Sequence, residues 1–356
     1  LYSYRDQGQT DYVGVSTHLK YFLLQGDNFN DITPIRKTST NSITFAATDG
    51  SSSLIVTDSS HGAVANDTVT FAEAVSLGGT VTAAVLNQSY IVIRTLTVNT
   101  YEVTAKDTSG DAVVANSSDT GNGGSAVDGI YEINVGLDVY VKGTGWGAGA
   151  WSSSTWGSVS PISSSNQLRL WSQDNFGDDL IACVRGGGIY YWDESAGATQ
   201  RAVPFSDLGS ASNTPTLSLQ IMVSDVDKHI ICFGANAIGE SIVNPLLVRW
   251  SDTESASDWT PTSTNQAGGV QLSQGSTIIG ALQTRQEILI WSDAGLTSMR
   301  FVGEPFIFSF IEVAAGPSLI SPNSAVSANN KVYFMDRGGF YVYSGSVSRL
   351  PCTVLD

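Results

Sequence analysis

The stretch GTGWGAGAWSSSTWG, Gly143 to Gly157, carries the spacing G-x-G-x-x-A directly after LDVYVK (Leu137 to Lys142), an alternating run that predicts a strand. Glycines so placed can open a dinucleotide site. That chemistry needs a helix at once, because the helix N-terminus holds the pyrophosphate. Here Gly, Ser and Thr follow, Pro161 closes the stretch, and no helical apolar stripe is present. Nor does a strand ending in an acidic residue follow within about 20 residues. No phosphate-binding G-x-x-x-x-G-K-[ST] occurs either. Nucleotide binding is not expected, and no cofactor is predicted.

Other reactive sets fail in similar ways. His18, His61 and His229 fall in different segments, with no G-x-S-x-G elbow and no H-E-x-x-H. Cys183, Cys232 and Cys352 are odd in number and far apart, without C-x-x-C. They read as buried free thiols of a reducing compartment, and no zinc site is implied. The pair Asp178-Asp179 has the chemistry a glycosidase uses. The sialidase box S-x-D-x-G-x-T-W is only grazed, by SQDNFGDDL and SDAGLTSM, so these acids read as turn carboxylates. No catalytic or metal-binding residue is predicted, and the chain is not expected to be an enzyme.

The elements around these residues are strands. Of 356 residues, 42% are hydrophobic and only 14% charged, against about a quarter in an average domain. The polar surface must come from Ser, Thr, Asn and Gly, which suits strands and turns. A net charge of −16 argues against a basic nucleic-acid-binding face. No apolar run approaches the ~20 residues of a membrane span, and no signal peptide is visible. The chain begins without Met and stops after an apparent strand, which reads as part of a longer protein.

Residues 38–136 stand apart. They hold no Trp, Pro or Cys, and two basic residues (Arg94, Lys106) against ten acidic ones give −8. SITFAA, SSLIVTD, DTVTFAEA, SYIVIRTL, NTYEVTA and GIYEINVG alternate with turn residues, predicting a small β-sandwich or barrel. The flanks, 1–37 and 137–356, repeat another pattern five times: a short apolar strand, a turn, a strand of aromatic and aliphatic residues, then a polar turn. Trp192, Trp250, Trp291 and Tyr343 mark the ends of four such units, at intervals of 58, 41 and 52 residues. Periods near 40–50 mark β-propeller blades. The expected fold is all-β: a six-bladed propeller (1–37 and 137–356) interrupted by an inserted acidic β domain (38–136).

With the repeats in place, NQLRLWSQDNFGDDLIACVRGGGIYYWD, LLVRWSDTESASDWTPTSTNQAGG, GALQTRQEILIWSDAGLTSMRFVG and NKVYFMDRGGFYVYSG resemble a family of bacteriophage virion proteins. These are the packaged-DNA stabilisation, or tail hub and nozzle, proteins of short-tailed phages. The Gly/Trp-rich loop fits the same resemblance, which covers 1–37 and 137–356. It implies a homohexameric ring in the virion tail, below the portal and its adaptor, assembled in the bacterial cytoplasm. Such a ring lines the DNA exit channel, retains the genome without binding it specifically, and anchors tail spikes or fibres. Trp146, Trp151 and Trp156 then read as contacts between blades or between subunits. The competing expectation is a carbohydrate-binding or carbohydrate-cleaving propeller for host recognition, with Trp/Asp pairs such as Trp192-Asp193 open to a sugar.

Overall fold

The computed structural model describes residues 1–136 and 168–352. The predicted strand Leu137–Lys142, the glycine-rich loop and Trp146, Trp151 and Trp156 lie outside the described residues. The described chain is nearly all-β: one helical turn, α1 (Ala83–Leu86), and seven four-stranded antiparallel sheets.

Sheet I is β1 (Tyr2–Arg5), β2 (Asp11–Ser16), β3 (Tyr21–Gln25) and β4 (Asn28–Asp31), paired in chain order. Next come β5 (Ile35–Ser39), β6 (Thr44–Ala47), β7 (Ser53–Thr57), β8 (Thr68–Ala72), β9 (Ser89–Ile91), β10 (Arg94–Thr97), β11 (Thr100–Thr104) and β12 (Asp128–Glu132). They form two sheets, β10-β11-β7-β6 and β5-β12-β8-β9, over one core. Phe45 meets Phe71 edge-on at 5.0 Å across it, and the Tyr101 and Tyr131 hydroxyls bond at 3.0 Å. SYIVIRTL, expected as one strand, is two. The amide of Val92 donates to Asp67 in one sheet's territory and that of Ile93 to Glu102 in the other's, so the chain changes sheets between them.

Four further meanders follow, each paired in chain order. Sheet II is β13 (Trp171–Phe176), β14 (Asp179–Val184), β15 (Ile189–Trp192) and β16 (Val203–Pro204). Sheet III is β17 (Gln220–Val223), β18 (Ile230–Phe233), β19 (Leu247–Trp250) and β20 (Gly268–Gln271). Sheet IV is β21 (Ile278–Gln283), β22 (Ile288–Ser292), β23 (Gly295–Gly303) and β24 (Ile307–Ala315). Sheet V is β25 (Ala325–Ala328), β26 (Lys331–Asp336), β27 (Gly339–Tyr343) and β28 (Val347–Leu350).

The sheets stack in series because successive side chains on a strand point to opposite faces. In β14, Leu180 and Ala182 pack on Tyr12, Tyr21 and Leu23 of sheet I, while Ile181 and Cys183 pack on Ile221 and Ile230 of sheet III. In β18, Ile231 and Phe233 turn to Ile278 and Ile290 of sheet IV. In β22, Leu289 and Trp291 turn to Val332 and Phe334 of sheet V. Strands β14, β18 and β22 are therefore buried at nearly every position, and read as unbroken apolar runs. The corresponding strands of the end sheets, β2 and β26, are buried only at alternate positions. Each end sheet has an apolar face that no other sheet covers among the described residues. On sheet I it holds Val13, Leu24 and Phe29, the last 64% exposed. On sheet V it holds Val326, Tyr333, Met335 and Phe340, with Val326 59% exposed.

The two-sheet unit is tied to its neighbours by ions. Arg201, just before β16, donates to Asp31 of β4 at 2.6 Å and to the buried Glu132 of β12 at 3.1 Å. Lys20 bonds the same two carboxylates. Removing one member of a buried network leaves the others uncompensated, so Glu132→Gln is expected to cost roughly 3 kcal/mol in denaturant unfolding. Trp291→Ala, which empties the interface between sheets IV and V, is expected to cost roughly 3–5 kcal/mol. Phe29→Ala, on an uncovered face, should cost well under half as much. Equal losses for Trp291→Ala and Phe29→Ala would contradict the stacking order.

Candidate functional site

The first strands of the five meanders lie side by side. As the first in each meander, a first strand has ladder partners on one side only, and its free N–H and C=O groups need others. Side chains supply them. Ile221 and Val223 of β17 donate their amides to Ser172 Oγ (3.0 Å) and Asp174 Oδ2 (2.8 Å) of β13. Gln220 of β17 accepts from the amide of Ala281 in β21 and donates to its carbonyl, both at 2.8 Å. Tyr2 of β1 donates its hydroxyl to Asp174 Oδ1 at 2.7 Å. Gly280 of β21 lets the chain before β25 come close, since a Cβ there would sit 2.9 Å from the Pro322 carbonyl oxygen.

These strands surround a cavity of about 450 Å³, to which all five meander sheets contribute residues. Its charged side chains are Asp174 and Arg185. Burial lifts the Asp174 carboxyl above its usual range, against the pull of its hydrogen bonds from Val223, Tyr2 and Asn175. Arg185 donates to the Leu219 carbonyl at 3.4 Å and the Ile278 carbonyl at 3.2 Å. No carboxylate lies within ion-pair distance of it among the described residues.

The aromatic residues singled out by spacing are all buried. Trp192 meets Tyr12 of sheet I edge-on at 5.7 Å. Trp250 meets Phe308 of sheet IV at 5.1 Å and donates its indole N–H to the Gln266 carbonyl at 2.8 Å. Trp291 faces Phe334 of sheet V at 5.4 Å, and Tyr343 of sheet V donates to Glu287 of sheet IV at 2.6 Å. They are contacts between sheets, yet not equivalent ones. Trp192 and Tyr343 face the preceding sheet and Trp250 and Trp291 the following one. Trp291 also lies next to the end of the second strand of its sheet, where the other three end the third. This offset makes the intervals of 58, 41 and 52 residues uneven. The spacing missed Trp259. It lies in no strand, is 1% exposed, and with Phe205 closes the interface between sheets II and III.

The acids next to these aromatics brace turns. Asp193 accepts from the amide of Ser195, Asp252 from those of Thr253 and Gln266, and Asp293 from that of Ser276. Asp178 and Asp179 diverge: Asp178 accepts from the Gln7 amide, and Asp179 from Tyr191 Oη and the Glu194 amide. His61 is buried in the two-sheet unit, where its Nδ1 accepts from the Ala63 amide; His229 is buried beside Ser251 in sheet III. Cys183 and Cys232 are free and sealed, and burial pushes the Cys183 thiol up to about 12. No cluster of three or more His, Cys, Asp or Glu placed to hold a metal occurs among the described residues.

No family model and no curated protein matches the sequence. Similar solved structures include a phage phi92 endosialidase (9% identity, TM-score 0.27), covering 91% of this chain and 52% of that one. PorZ, an essential bacterial surface component of the type-IX secretion system of Porphyromonas gingivalis, is 11% identical (TM-score 0.30; 97% and 41% covered). The extracellular domain of the one-component system BT4673 from B. thetaiotaomicron is 10% identical (TM-score 0.31; 98% and 42%). The chain spans about half or less of each of these proteins, and likeness of this degree assigns no function.

The contact between sheets IV and V has an acid-sensitive anchor. Burial alone would raise the Glu287 carboxyl, but hydrogen bonds from Ser298, Tyr343 and Arg300 outweigh it and hold the group below its usual range. A depressed carboxyl contributes stability above its unfolded pKa, near 4, that is lost as pH falls through the folded value. Glu287→Gln is expected to lower the melting temperature at neutral pH and flatten its fall between about pH 5 and pH 3. An unchanged acid limb in calorimetry would contradict this anchor.

Proposed function

We propose that the chain is a structural subunit of a phage tail, of the hub or nozzle kind. On this reading it is a six-bladed propeller with an inserted β-sandwich. It works without catalysis, in a homohexameric ring below the portal and adaptor. The ring surrounds the exiting DNA and carries spikes or fibres. Two things support the architecture. The sequence resemblance covers both flanks of the acidic segment. The five meanders also stack in series, with their first strands around one cavity. A sixth sheet between sheets V and I would cover both open faces.

The observation that carries an assembly role is the hairpin of β23 and β24, nine residues a strand where the other strands have at most six. Its inner side grips Trp250 through Phe308 and Phe310. Its tip presents Phe301, Val302 and Phe306, the last 76% exposed. An apolar tip on an acidic surface marks a contact with another protein. A net charge of −16 would repel phosphates and let DNA slide. The carbohydrate reading needs open Trp/Asp pairs, whereas Trp192 is 1% exposed and Asp193 braces a turn.

Phe306→Asp is expected to weaken ring assembly by about tenfold or more while leaving the melting temperature of the monomer within a few degrees. Light scattering with and without portal–adaptor complex reads both. A wild-type chain that stays monomeric in both conditions, or a Phe306→Asp chain that assembles normally, would sink the reading.

A further inference from the structure

We propose that the cavity ringed by the five first strands is a binding site for a small organic carboxylate, held by Arg185. This inference does not depend on the tail assignment. Arg185 is fixed at its base by its own amide, which donates to the Leu170 carbonyl at 2.9 Å. Its side chain reaches the cavity at the end where sheets III and IV begin, near Leu219 and Ile278. A guanidinium offers five N–H donors in a fixed fork. Two are engaged, by carbonyls at the long end of hydrogen-bond range. The Nε–H has no acceptor among the described residues.

A second buried arginine shows what a purely structural one looks like here. Arg249 is 4% exposed, lies over the Trp259 ring, and donates to the carbonyls of Asn213, Asn236 and Trp259. It does not line this cavity. Arg185 does, with two long carbonyl contacts and an Nε–H that has no acceptor among the described residues. Burial lowers the pKa of its guanidinium, and no carboxylate among the described residues lies within ion-pair distance of it. Asp174, the carboxylate that lines the cavity, is engaged elsewhere. Both oxygens of Asp174 are held by Tyr2, Asn175 and Val223.

The rest of the cavity fixes the ligand class. Leu219 and Leu282 contribute some apolar surface, and the greater part of the accessible lining is polar. Asn323, an exposed residue, also lines it. A volume of about 450 Å³ suits a small organic acid. A charged, bidentate contact out of water is where arginine discriminates best between a carboxylate and its neutral amide.

Titration calorimetry of the whole chain with benzoate, benzamide and acetate tests this. Benzoate and acetate are both expected to bind saturably, benzoate at least about tenfold tighter than benzamide. Arg185→Gln should lower benzoate affinity by about tenfold or more, and Arg185→Lys by less, because the point charge survives without the fork. Circular dichroism establishes that each variant folds; if Arg185→Gln does not, the three-ligand comparison on the wild-type chain decides alone. Absence of saturable benzoate binding, equal affinity for benzoate and benzamide, or a folded Arg185→Gln chain with undiminished affinity would overturn the proposal.

Discussion

Every meander sheet of this protein is apolar on both faces, and each face must be covered by another sheet. The rest of the structure follows from that constraint. An antiparallel sheet alone can leave one face to water. Here β14, β18 and β22 are buried at nearly every position, which only a sheet on either side can achieve. The order of the stack is therefore set by which residues of each strand are odd and which even. The side-chain bridges between first strands come second. They satisfy backbone groups that the stacking brings together, and they hold the cavity open at the same time.

The acidic two-sheet unit obeys the same rule in a closed form. Its two sheets cover each other, so its core is complete without help from the stack. It joins the stack through charge: Lys20, Asp31, Glu132 and Arg201 form a compact network with two ions of each sign. In a chain of net −16, this pairing places the cations where two units meet. The division by composition is legible for this reason. Residues 38–136 carry no Trp because their core is built from Phe and Tyr across a narrow gap. The compositional boundary at residue 38 nevertheless cuts through β5, since Ile35 to Lys37 pair with β12.

Much of the strand content could be read from alternation and turn residues, and the class, all-β, with it. What the residues did not announce was which face a residue takes. Trp192 and Trp250 look alike in sequence, each closing a strand before a small or acidic pair, yet they face opposite neighbours. The difference lies in strand parity, which depends on where pairing starts. Trp291 looked like a third instance and sits one strand earlier. Trp259 escaped because it packs from a loop. The acids after the aromatics resembled a sugar site; their turn-bracing role appears only once the amides of Ser195, Gln266 and Ser276 are placed. Arg185, the residue of most chemical interest, lay in a glycine-flanked turn with no motif around it. Its position emerges from the convergence of sheets that are distant in the chain.

The stacking account makes the uncovered faces of sheets I and V its sharpest commitment, because apolar faces of that size do not stay in water. A cryo-EM reconstruction of the native assembled particle tests it most directly. The account predicts a further four-stranded sheet packed between Phe29 and Phe340, in each of six copies ringed below a portal. Density in which these two faces lie open to solvent, or in which the chain sits outside the tail, would contradict it.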